Sequence, residues 1–535
     1  MNKILIFFVF ICIVNTSFAD INKYGGTLVF GKASDAVSMD PAHATDGETF
    51  NATVQIYDRL IHFKYGSTKI EPGLAEKWNI SSDGLKYTFY LRKGVKFQKT
   101  KYFKKQVEFT ADDVVFSFKR QFDTKHPYYR VGGPFEYWLA MDMNNIVKDI
   151  VKKDRFTVEL ILKKPEASLL SNLAMDFVSI LSKEYADYLL EEKRPADLGR
   201  YPVGTGPFIL ERWLKDDRMI FSANKDYWAG RPYLNKLIMK VIPSNSVRAA
   251  ELKTGQIHIM DFPNYEEIKS LKMDKNIKFI EQPGLNVAYL AMNTDKKPFD
   301  NILVRKAINM AINKKAIVDT IYAGYAIVAK NPIPPIVWGY NDNIKDYDYN
   351  PQKARELLAQ AGYKDGFQTT LWAMPTPRPY LPNARKVAEV IQADLSKIGI
   401  KANIISYDWA TYLQKTYYGE HDMALMGWTG DNGDPDNFLY VLLSSKAANK
   451  PAQNIAFYRN SKFDEIVEKA KIITDINTRT ALYKKAQEIF HDDAPWVTLA
   501  YSLIVEPVRI NVMDFQLDPV GSRRFFKVWL SKEAN

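Results

Sequence analysis

The feature that most constrains the fold is a regular alternation of strand-like and helix-like segments that begins near residue 285. Residues 285–292 form an apolar run of strand length, and residues 304–312 repeat an apolar face with helical spacing. Further apolar strands are predicted at 400–406 and 423–426. Strands that alternate with helices build a sheet covered by helices. This part of the sequence therefore predicts an α/β lobe.

Helix boundaries in this lobe are marked by capping residues. Asn350 and Pro351 are a cap and first-turn pair that opens a helix through Leu358. A second helix is predicted over 384–398, with Gly399 at its end. The last two helices of the lobe are expected at 462–474 and 478–490.

The preceding part of the chain predicts a first lobe that contains hairpins and capped helices. A short apolar strand is expected at 27–30, and the Asp83-Gly84 turn predicts a hairpin over 78–92. Thr110 is placed to cap a helix. Strand-like alternation returns after Thr498, which indicates that the end of the chain returns to the first lobe. The prediction is two α/β lobes, the first built from discontinuous segments.

The N-terminus predicts a cleaved secretion signal. Lys3 precedes the apolar run 4–14, and Ser17 and Ala19 are the small residues that signal peptidase requires before its cut. The run is shorter than the ~20 residues that span a bilayer. Cys12 lies inside the run instead of at a lipoprotein cleavage site. We expect a periplasmic chain that starts after residue 19 and carries no lipid anchor or membrane-inserted segment.

Composition excludes several classes of function. Cys12 is the only cysteine, so the mature chain can form no disulfide and no cysteine-ligated metal site. Loss of Lys3 lowers the formal charge from +11 to +10. The basic residues are spread evenly, which is typical of a solvated surface and not of a nucleic-acid interface.

No motif predicts a catalytic or metal centre. The chain has no G-x-S-x-G elbow, no Walker loop and no G-x-G-x-x-G motif. The clusters at 420–422 and 491–493 are interpreted as ordinary solvated helix or loop ends in preference to metal ligands. Asp431, Asp434 and Asp436 resemble a calcium loop, but its glycine stands at the wrong position and no glutamate closes it. We expect neither a cofactor nor an enzyme.

Two loops of the second lobe carry opposite charges. An acidic, glycine-rich loop with Asp431 follows the strand at 423–426, and ligands of open α/β sheets bind at the carboxyl ends of strands. In the other loop, Arg378 stands between Pro377 and Pro379. One fixed anion and one fixed cation suit a small zwitterion, which makes capture of a short peptide the first hypothesis.

Aromatic residues accompany both charged loops. Trp428 stands beside the acidic loop and Tyr380 beside the arginine, and both are interpreted as binding residues. Tyr407 and Trp409 fit core packing and binding equally well.

Several motifs resemble one protein family over nearly the whole mature chain. One group of motifs is Pro72-Gly-Leu-Ala-Glu-Lys-Trp78, Ala111-Asp-Asp-Val-Val-Phe-Ser-Phe118 and Gly204-Thr-Gly-Pro-Phe208. A second group is Trp372-Ala-Met-Pro375 and Gly427-Trp-Thr-Gly-Asp-Asn-Gly-Asp-Pro-Asp-Asn-Phe438. With these motifs the sequence is similar to the bacterial extracellular solute-binding proteins of family 5, which serve peptide ABC importers. The first group is shared across that family, and the second is more specific to its dipeptide-binding branch.

The resemblance implies a type II periplasmic binding protein fold with two lobes, a hinge, and a bipartite first lobe with an extra subdomain. The expected divisions are a signal peptide (1–19), the first lobe (20–284), the second lobe (285–501) and a return to the first lobe (502–535). The family's ammonium-binding carboxylate falls on Asp431 and its carboxylate-binding arginine on Arg378. The other expected site residues are Tyr380, Trp428, Thr45, Gly47, Met426 and Gly427.

The function implied is capture of dipeptides by hinge closure and delivery to an inner-membrane ABC permease by a monomeric protein. Within the same fold, haem, 5-aminolevulinate, nickel or longer peptides remain alternative ligands. A periplasmic peptidase or a chaperone remains the alternative from a different class.

Overall fold

The computed structural model describes residues 23–375 and 378–531. The predicted signal peptide at 1–19 and Pro377 therefore lie outside the described residues. Within these ranges no helix combines the length and the apolar character that crossing a membrane requires.

The described chain has two large hydrophobic cores and two small hydrophobic clusters. The first core takes its buried residues from 28–239, from Ile259 and from 508–528. The second takes its buried residues from 285–501. The first lobe is therefore discontinuous, as predicted, and the structure is a mixed α/β fold with two lobes. We keep residues 285 and 501 as the proposed limits of the second lobe.

A single large sheet runs through both lobes. It has 12 strands among the described residues. From the second-lobe edge, its strands are Ile400–Ile405, Phe367–Trp372, Met423–Thr429, Asn286–Met292, Trp496–Arg509, Ile259–Met260, Thr27–Lys32, Lys236–Val241, Arg218–Ala223 and Phe208–Leu214, with Ile277–Pro283 and Ala326–Val328 paired to Trp496–Arg509.

The strand Trp496–Arg509 is shared by the two lobes. Its first half pairs with Asn286–Met292 and Ala326–Val328 of the second lobe. Its second half, 503–509, pairs with Ile277–Pro283 of the first lobe. The chain also passes between the lobes at Gly284, directly after Ile277–Pro283. Two adjacent crossings of this kind form a hinge about which two rigid lobes can rotate.

The first lobe contains the expected extra subdomain. Four antiparallel strands form a separate sheet in the order Ala75–Ile80, Lys86–Leu91, Thr157–Leu162 and Val147–Asp154. The first two are the predicted hairpin, and Gly84 takes φ +68° in its turn. Two smaller sheets pair Ile61–Phe63 with Ile70–Pro72 and Val512–Met513 with Trp529–Leu530.

Helices cover both lobes. Those of the first lobe are Gly47–Thr53, Ala111–Phe122, Glu136–Ala140, Met143–Ile146, Leu169–Asn172, Lys183–Glu191, Asn245–Lys253 and Tyr265–Leu271. Those of the second lobe are Ile302–Ala311, Lys314–Ile321, Pro351–Gln360, Ala384–Ser396, Trp409–Tyr417, Asp436–Leu443, Ser461–Ile472 and Ile476–Asp493. Short 3-10 turns occur at Pro41–His43, Asp176–Val178, Pro195–Gly199 and Lys446–Ala448.

The predicted caps are confirmed. Thr110 and Asp113 form a capping box at the start of Ala111–Phe122, with Asp113 accepting the Thr110 backbone N–H at 2.8 Å. Asn350 accepts the Lys353 backbone N–H at 2.9 Å, and Gly362 lies just past the end of that helix at φ +89°.

Two predicted boundaries on either side of the acidic loop were wrong. The strand expected at 423–426 extends to Thr429, because it pairs along its whole length with Asn286–Met292. Asp436 was placed in a loop, whereas it begins the helix Asp436–Leu443. The apolar residues Phe438, Leu439, Leu442 and Leu443 recur with helical spacing and could have revealed this helix.

Candidate functional site

The sheet brings the two charged loops to the same edge. Phe367–Trp372 and Met423–Thr429 are neighbouring parallel strands, with Trp372 opposite Ala424. Parallel strands have their carboxyl ends at the same edge, where ligands of open α/β sheets bind. The loop that carries Arg378 and the loop that carries Asp431 both leave from this edge.

Asp431 is held by a neutral amide. The Asn437 Nδ2 group donates to Asp431 Oδ2 at 3.1 Å, and Asn437 Oδ1 accepts the backbone N–H of Asp431 at 3.0 Å. Asn437 Oδ1 also accepts Trp428 Nε1–H at 3.0 Å, so one side chain positions both predicted site residues. Burial raises the pKa of Asp431 to about 6, although the hydrogen bond from Asn437 opposes the shift. Within the described chain Asp431 has no cationic partner.

The other two aspartates of this segment have basic partners. Asp434 is buried and accepts two hydrogen bonds from Arg479, at 2.9 and 2.8 Å. Asp436 lies 3.1 Å from Lys471 Nζ. Each of these two carboxylates therefore has a basic partner within the protein, which Asp431 lacks among the described residues.

Arg378 is presented by a short backbone turn. Its N–H and carbonyl exchange hydrogen bonds with Leu381 at 3.1 and 2.9 Å. Its guanidinium stacks on Trp409, with Cζ 4.5 Å from the ring centroid. The buried Nε lacks a hydrogen-bond partner among the described residues, and none of the ion pairs described includes Arg378. A guanidinium in this state is available to a carboxylate ligand.

The arginine loop is anchored to the strand that crosses the hinge. Ser502 Oγ donates to the carbonyl of Pro379 at 2.8 Å. The Tyr322 hydroxyl donates to the carbonyl of Tyr380 at 2.7 Å. The position of Arg378 is therefore fixed relative to Trp496–Arg509.

Tyr380 and Gly427 pack against each other. A Cβ atom on Gly427 would lie 2.2 Å from Tyr380 Cδ2, so this position accepts only glycine while the ring stays in place. Burial raises the pKa of Tyr380 to about 12, which keeps its hydroxyl protonated. Met426, immediately before Gly427, is buried and contributes to the same wall.

Two adjoining cavities occupy this edge of the sheet. The smaller, of about 380 Å³, is lined by six of the eight predicted residues. These six are Arg378, Tyr380, Met426, Gly427, Trp428 and Asp431. The larger, of about 610 Å³, shares Trp428, Asp431 and Gln453 with the smaller one and adds Thr45. Gly47 lines neither cavity; it is the first residue of the helix Gly47–Thr53, whose cap is Asp46.

The larger cavity lies between the lobes. Its first-lobe wall includes Thr45 and Asn172, and its second-lobe wall includes Asn432. Asn432 Nδ2 donates to Asn172 Oδ1 at 2.6 Å across the cleft. The backbone N–H of Ala167 donates to the carbonyl of Lys471 at 2.7 Å, also between the lobes. A ligand in these cavities would contact both lobes.

Three residues of the site escaped prediction or were left undecided. Asn437 and Gln453 gave no local signal, because their roles depend on contacts made by the folded chain. Trp409, which fitted core or binding equally well, lies beneath Arg378 and lines the smaller cavity. In the sequence, the only indication that Trp409 belongs to the site was that aromatic residues accompany Arg378.

The described residues contain no group of three or more histidine, cysteine, aspartate or glutamate side chains arranged to hold a metal ion. The interpretation of His421 as part of a solvated helix or loop end was wrong. His421 is fully buried, and its Nε2 lies 2.8 Å from the carbonyl of Ile455. Burial lowers the pKa of His421 to about 4, so the ring is neutral.

Comparison with known proteins agrees with this architecture. Residues 69–450 match the family described as bacterial extracellular solute-binding proteins, family 5 Middle. The chain belongs to this family. It is 46% identical over 504 residues to the dipeptide-binding protein of Escherichia coli strain K12, covering 94% of each chain.

Two further relatives span almost the same length. Heme-binding protein A of Haemophilus influenzae is 45% identical over 504 residues, covering 94% of this chain and 92% of the relative. The solved structure of DppA from Helicobacter pylori, an ABC transporter-associated periplasmic binding protein in complex with peptide STSA, is 48% identical with a TM-score of 0.75, covering 96% and 99%. These family 5 relatives are named as binding proteins.

Proposed function

We propose that this family 5 protein is the periplasmic binding component of an ABC importer and that it captures dipeptides. The observation that carries the proposal is that Arg378 and Asp431, neither of which has an ion-pair partner among the described residues, line the same cavity. A dipeptide zwitterion carries the complementary charges at its two ends. The similarity to the dipeptide-binding protein of Escherichia coli supports the same ligand.

In the proposed complex, the peptide ammonium pairs with Asp431 and the peptide carboxylate with Arg378. Both are charge-assisted hydrogen bonds inside a partly desolvated cleft, where such bonds are strongest. The ammonium also lowers the pKa of Asp431 from its raised value, because a nearby cation favours the ionised carboxyl. Trp428 and Tyr380 form apolar walls for the ligand.

Closure follows from the placement of the site. The cavities are lined by residues of both lobes, and the lobes are joined by the shared strand Trp496–Arg509. A ligand that contacts both lobes stabilises the closed arrangement only through contacts that the open arrangement lacks. A fixed distance between Asp431 and Arg378 selects peptide length. The contacts to the two termini do not depend on the side chains, so peptides of different sequence can bind with different affinities.

Isothermal titration of ligand-stripped protein tests the proposal. Ala-Ala should give saturable one-to-one heat, whereas C-terminally amidated Ala-Ala should bind at least about 100-fold more weakly because Arg378 loses its partner. Ala-Ala-Ala measures length selection. Equal binding of the tripeptide would assign the protein to longer peptides, and absence of heat with all three would contradict a peptide ligand.

Haem is the second candidate ligand, because the chain is 45% identical to Heme-binding protein A of Haemophilus influenzae. Haem has two carboxylates and no ammonium, so it would satisfy Arg378 and leave Asp431 without a partner. The two ligands therefore differ in their need for Asp431. A Soret shift that saturates at one equivalent and persists in Asp431→Asn would favour haem.

Delivery to an inner-membrane permease, export by the predicted signal peptide and a monomeric state are part of the same proposal. The similarity to an ABC transporter-associated periplasmic binding protein supports the first two. Import of a dipeptide by cells that lack and then regain this gene would test delivery.

A further inference from the structure

The larger cavity holds charges that the proposed contacts to the peptide termini leave unused. It extends from Asp431 toward the first lobe. Besides Asp431, its lining includes four carboxyl groups and a single ammonium group. The carboxyl groups belong to Glu136, Asp142, Glu166 and Asp436, and the ammonium group to Lys471. The cavity therefore has an excess of negative charge.

Lys471 does not satisfy the two carboxyl groups nearest to it. Its Nζ lies 3.4 Å from Glu166 Oε1 and 3.1 Å from Asp436 Oδ2. The second oxygen of each carboxyl group has no hydrogen-bond partner among the described residues, although the side chains are only 1% and 7% exposed. Buried acceptors without donors are rare because they lose hydration without compensation. Glu166 and Asp436, the residues that carry these two oxygens, both line the cavity, and a ligand with N–H donors would supply the partners that they lack.

Part of the remaining wall of the cavity is apolar, and it is formed by Tyr137, Met141, Ile146 and Tyr440. Lysine and arginine side chains combine a chain of methylene groups with a cationic end that donates several hydrogen bonds. Their methylene groups fit the apolar wall, and their cationic ends fit the carboxyl groups.

The position of Asp431 identifies the peptide residue that enters. Asp431 lines both cavities, whereas Arg378 lines only the smaller one. If Asp431 holds the ammonium, the N-terminal residue is the one beside the larger cavity. We propose that this cavity is the side-chain pocket for the N-terminal residue and that it selects lysine or arginine there. This inference rests on the proposed dipeptide function.

A series of peptides tests the selectivity directly. Lys-Ala should bind wild-type protein about tenfold more tightly than norleucyl-Ala, which has the same methylene chain without the charge. Glu-Ala should bind most weakly, because its charge repels the carboxyl groups. Ala-Lys should show no advantage over Ala-norleucine. Equal affinities for Lys-Ala, norleucyl-Ala and Glu-Ala would overturn the inference, as would a preference confined to Ala-Lys.

Variants assign the preference to this cavity. Glu136→Gln combined with Asp142→Asn removes two exposed charges; Asp142 lies 3.7 Å from Lys164 and is not needed for a buried contact. The Lys-Ala to norleucyl-Ala ratio should fall about threefold. Glu192→Gln with Asp319→Asn, two exposed carboxylates outside both cavities, is the matched control and should leave the ratio unchanged.

A ratio that persists both in Glu136→Gln with Asp142→Asn and in Glu166→Gln would contradict the assignment to this cavity, because Glu166 carries one of the two oxygens without a donor. Ala-Ala serves as the reference ligand in every variant. Loss of Ala-Ala binding by wild-type protein would instead refute the proposed function, so the two failures are distinguishable.

Discussion

Asp431 and Asp434 lie three residues apart in one loop, yet their surroundings differ. Asp434 is buried against Arg479, which donates to both of its carboxylate oxygens at 2.9 and 2.8 Å. Asp431 receives one amide hydrogen bond, from Asn437 at 3.1 Å, and its pKa is raised to about 6. The first carboxylate stabilises the fold, whereas the second is available to a ligand. Residue type alone does not separate these roles; the partner does.

The two arginines of the second lobe show the same contrast. Arg479 has a carboxylate, a carbonyl and the Tyr483 hydroxyl as partners. Arg378 stacks on Trp409, and its buried Nε has no hydrogen-bond partner in the part of the chain that the structure describes. Arg378 and Asp431 line one cavity, whereas Arg479 and Asp434 lie outside it.

The largest expected effect is on stability and comes from Asp434. Asp434→Asn leaves the buried guanidinium of Arg479 without its counter-charge, which should lower the free energy of unfolding by about 3–5 kcal/mol. Chemical denaturation of the ligand-free protein measures this change.

The control is the double variant Asp434→Leu with Arg479→Met, which removes both charges. It should recover much of the lost stability, because replacing a buried ion pair by apolar residues is close to neutral. A single Asp434→Asn variant as stable as wild type would show that the ion pair does not hold the loop.

The next effect is on affinity and comes from Arg378. Arg378→Leu should weaken Ala-Ala binding at least about 100-fold, since the peptide carboxylate loses its charge-assisted partner. The melting temperature should change little, because Arg378 makes no ion pair among the described residues. Arg355→Leu, an exposed arginine outside both cavities, is the control and should bind Ala-Ala normally. Wild-type affinity in Arg378→Leu would remove this arginine from the site.

A smaller effect is expected from pH. Ammonium binding needs an ionised Asp431, and the pKa of about 6 means that most of this carboxyl is protonated at pH 5. Ala-Ala affinity should therefore fall about tenfold between pH 7.5 and pH 5. Asp431→Asn should show no such dependence, although Asp436, whose pKa is also raised to about 6, remains present.

The stability of the ligand-free protein should depend on pH in the opposite sense to the affinity, because the contribution of Asp431 to stability falls as pH rises. Because the folded pKa of Asp431 lies above the ordinary value near 4, folding favours its protonated form. Its contribution to the free energy of unfolding is therefore lost as pH rises from about 4 to about 6. Denaturation of wild type and Asp431→Asn across this range isolates the contribution, and identical profiles would contradict the raised pKa.

The smallest effect is expected from Asn437, which contacts Asp431 and Trp428 without a proposed contact to the peptide. Asn437→Ala should weaken Ala-Ala binding about five- to tenfold, because loss of one buried hydrogen-bonding partner costs about 1 kcal/mol or more. Asn437→Asp should be more damaging, since it places a second carboxylate beside Asp431. Unchanged affinity in both variants would show that Asn437 does not position the carboxylate.

Much of the fold was predictable because its signals are local. The cap at Asn350, the turn at Gly84 and the apolar run at 285–292 each specify an element through neighbouring residues. The two charged loops were also predictable, since each directly follows a strand of the second lobe.

The division of roles among the acidic residues was not predictable from local sequence. Arg479 lies 45 positions from Asp434, and Lys471 lies 35 positions from Asp436. Only the folded chain brings these residues together. Asp431 was distinguished from its neighbours by resemblance to a family, and the physical reason for the difference is visible only in the ion pairs.

The most direct test of the proposed role of Asp431 is a thermodynamic cycle. It removes the carboxylate charge from the protein, the ammonium charge from the ligand, or both. Calorimetry would compare Ala-Ala with N-acetyl-Ala-Ala on wild type and on Asp431→Asn. Each single removal should weaken binding by about 3 kcal/mol, and the double removal should cost little more, because the two charges contact each other. Additive losses would show that Asp431 and the peptide ammonium do not interact and would contradict the proposed site.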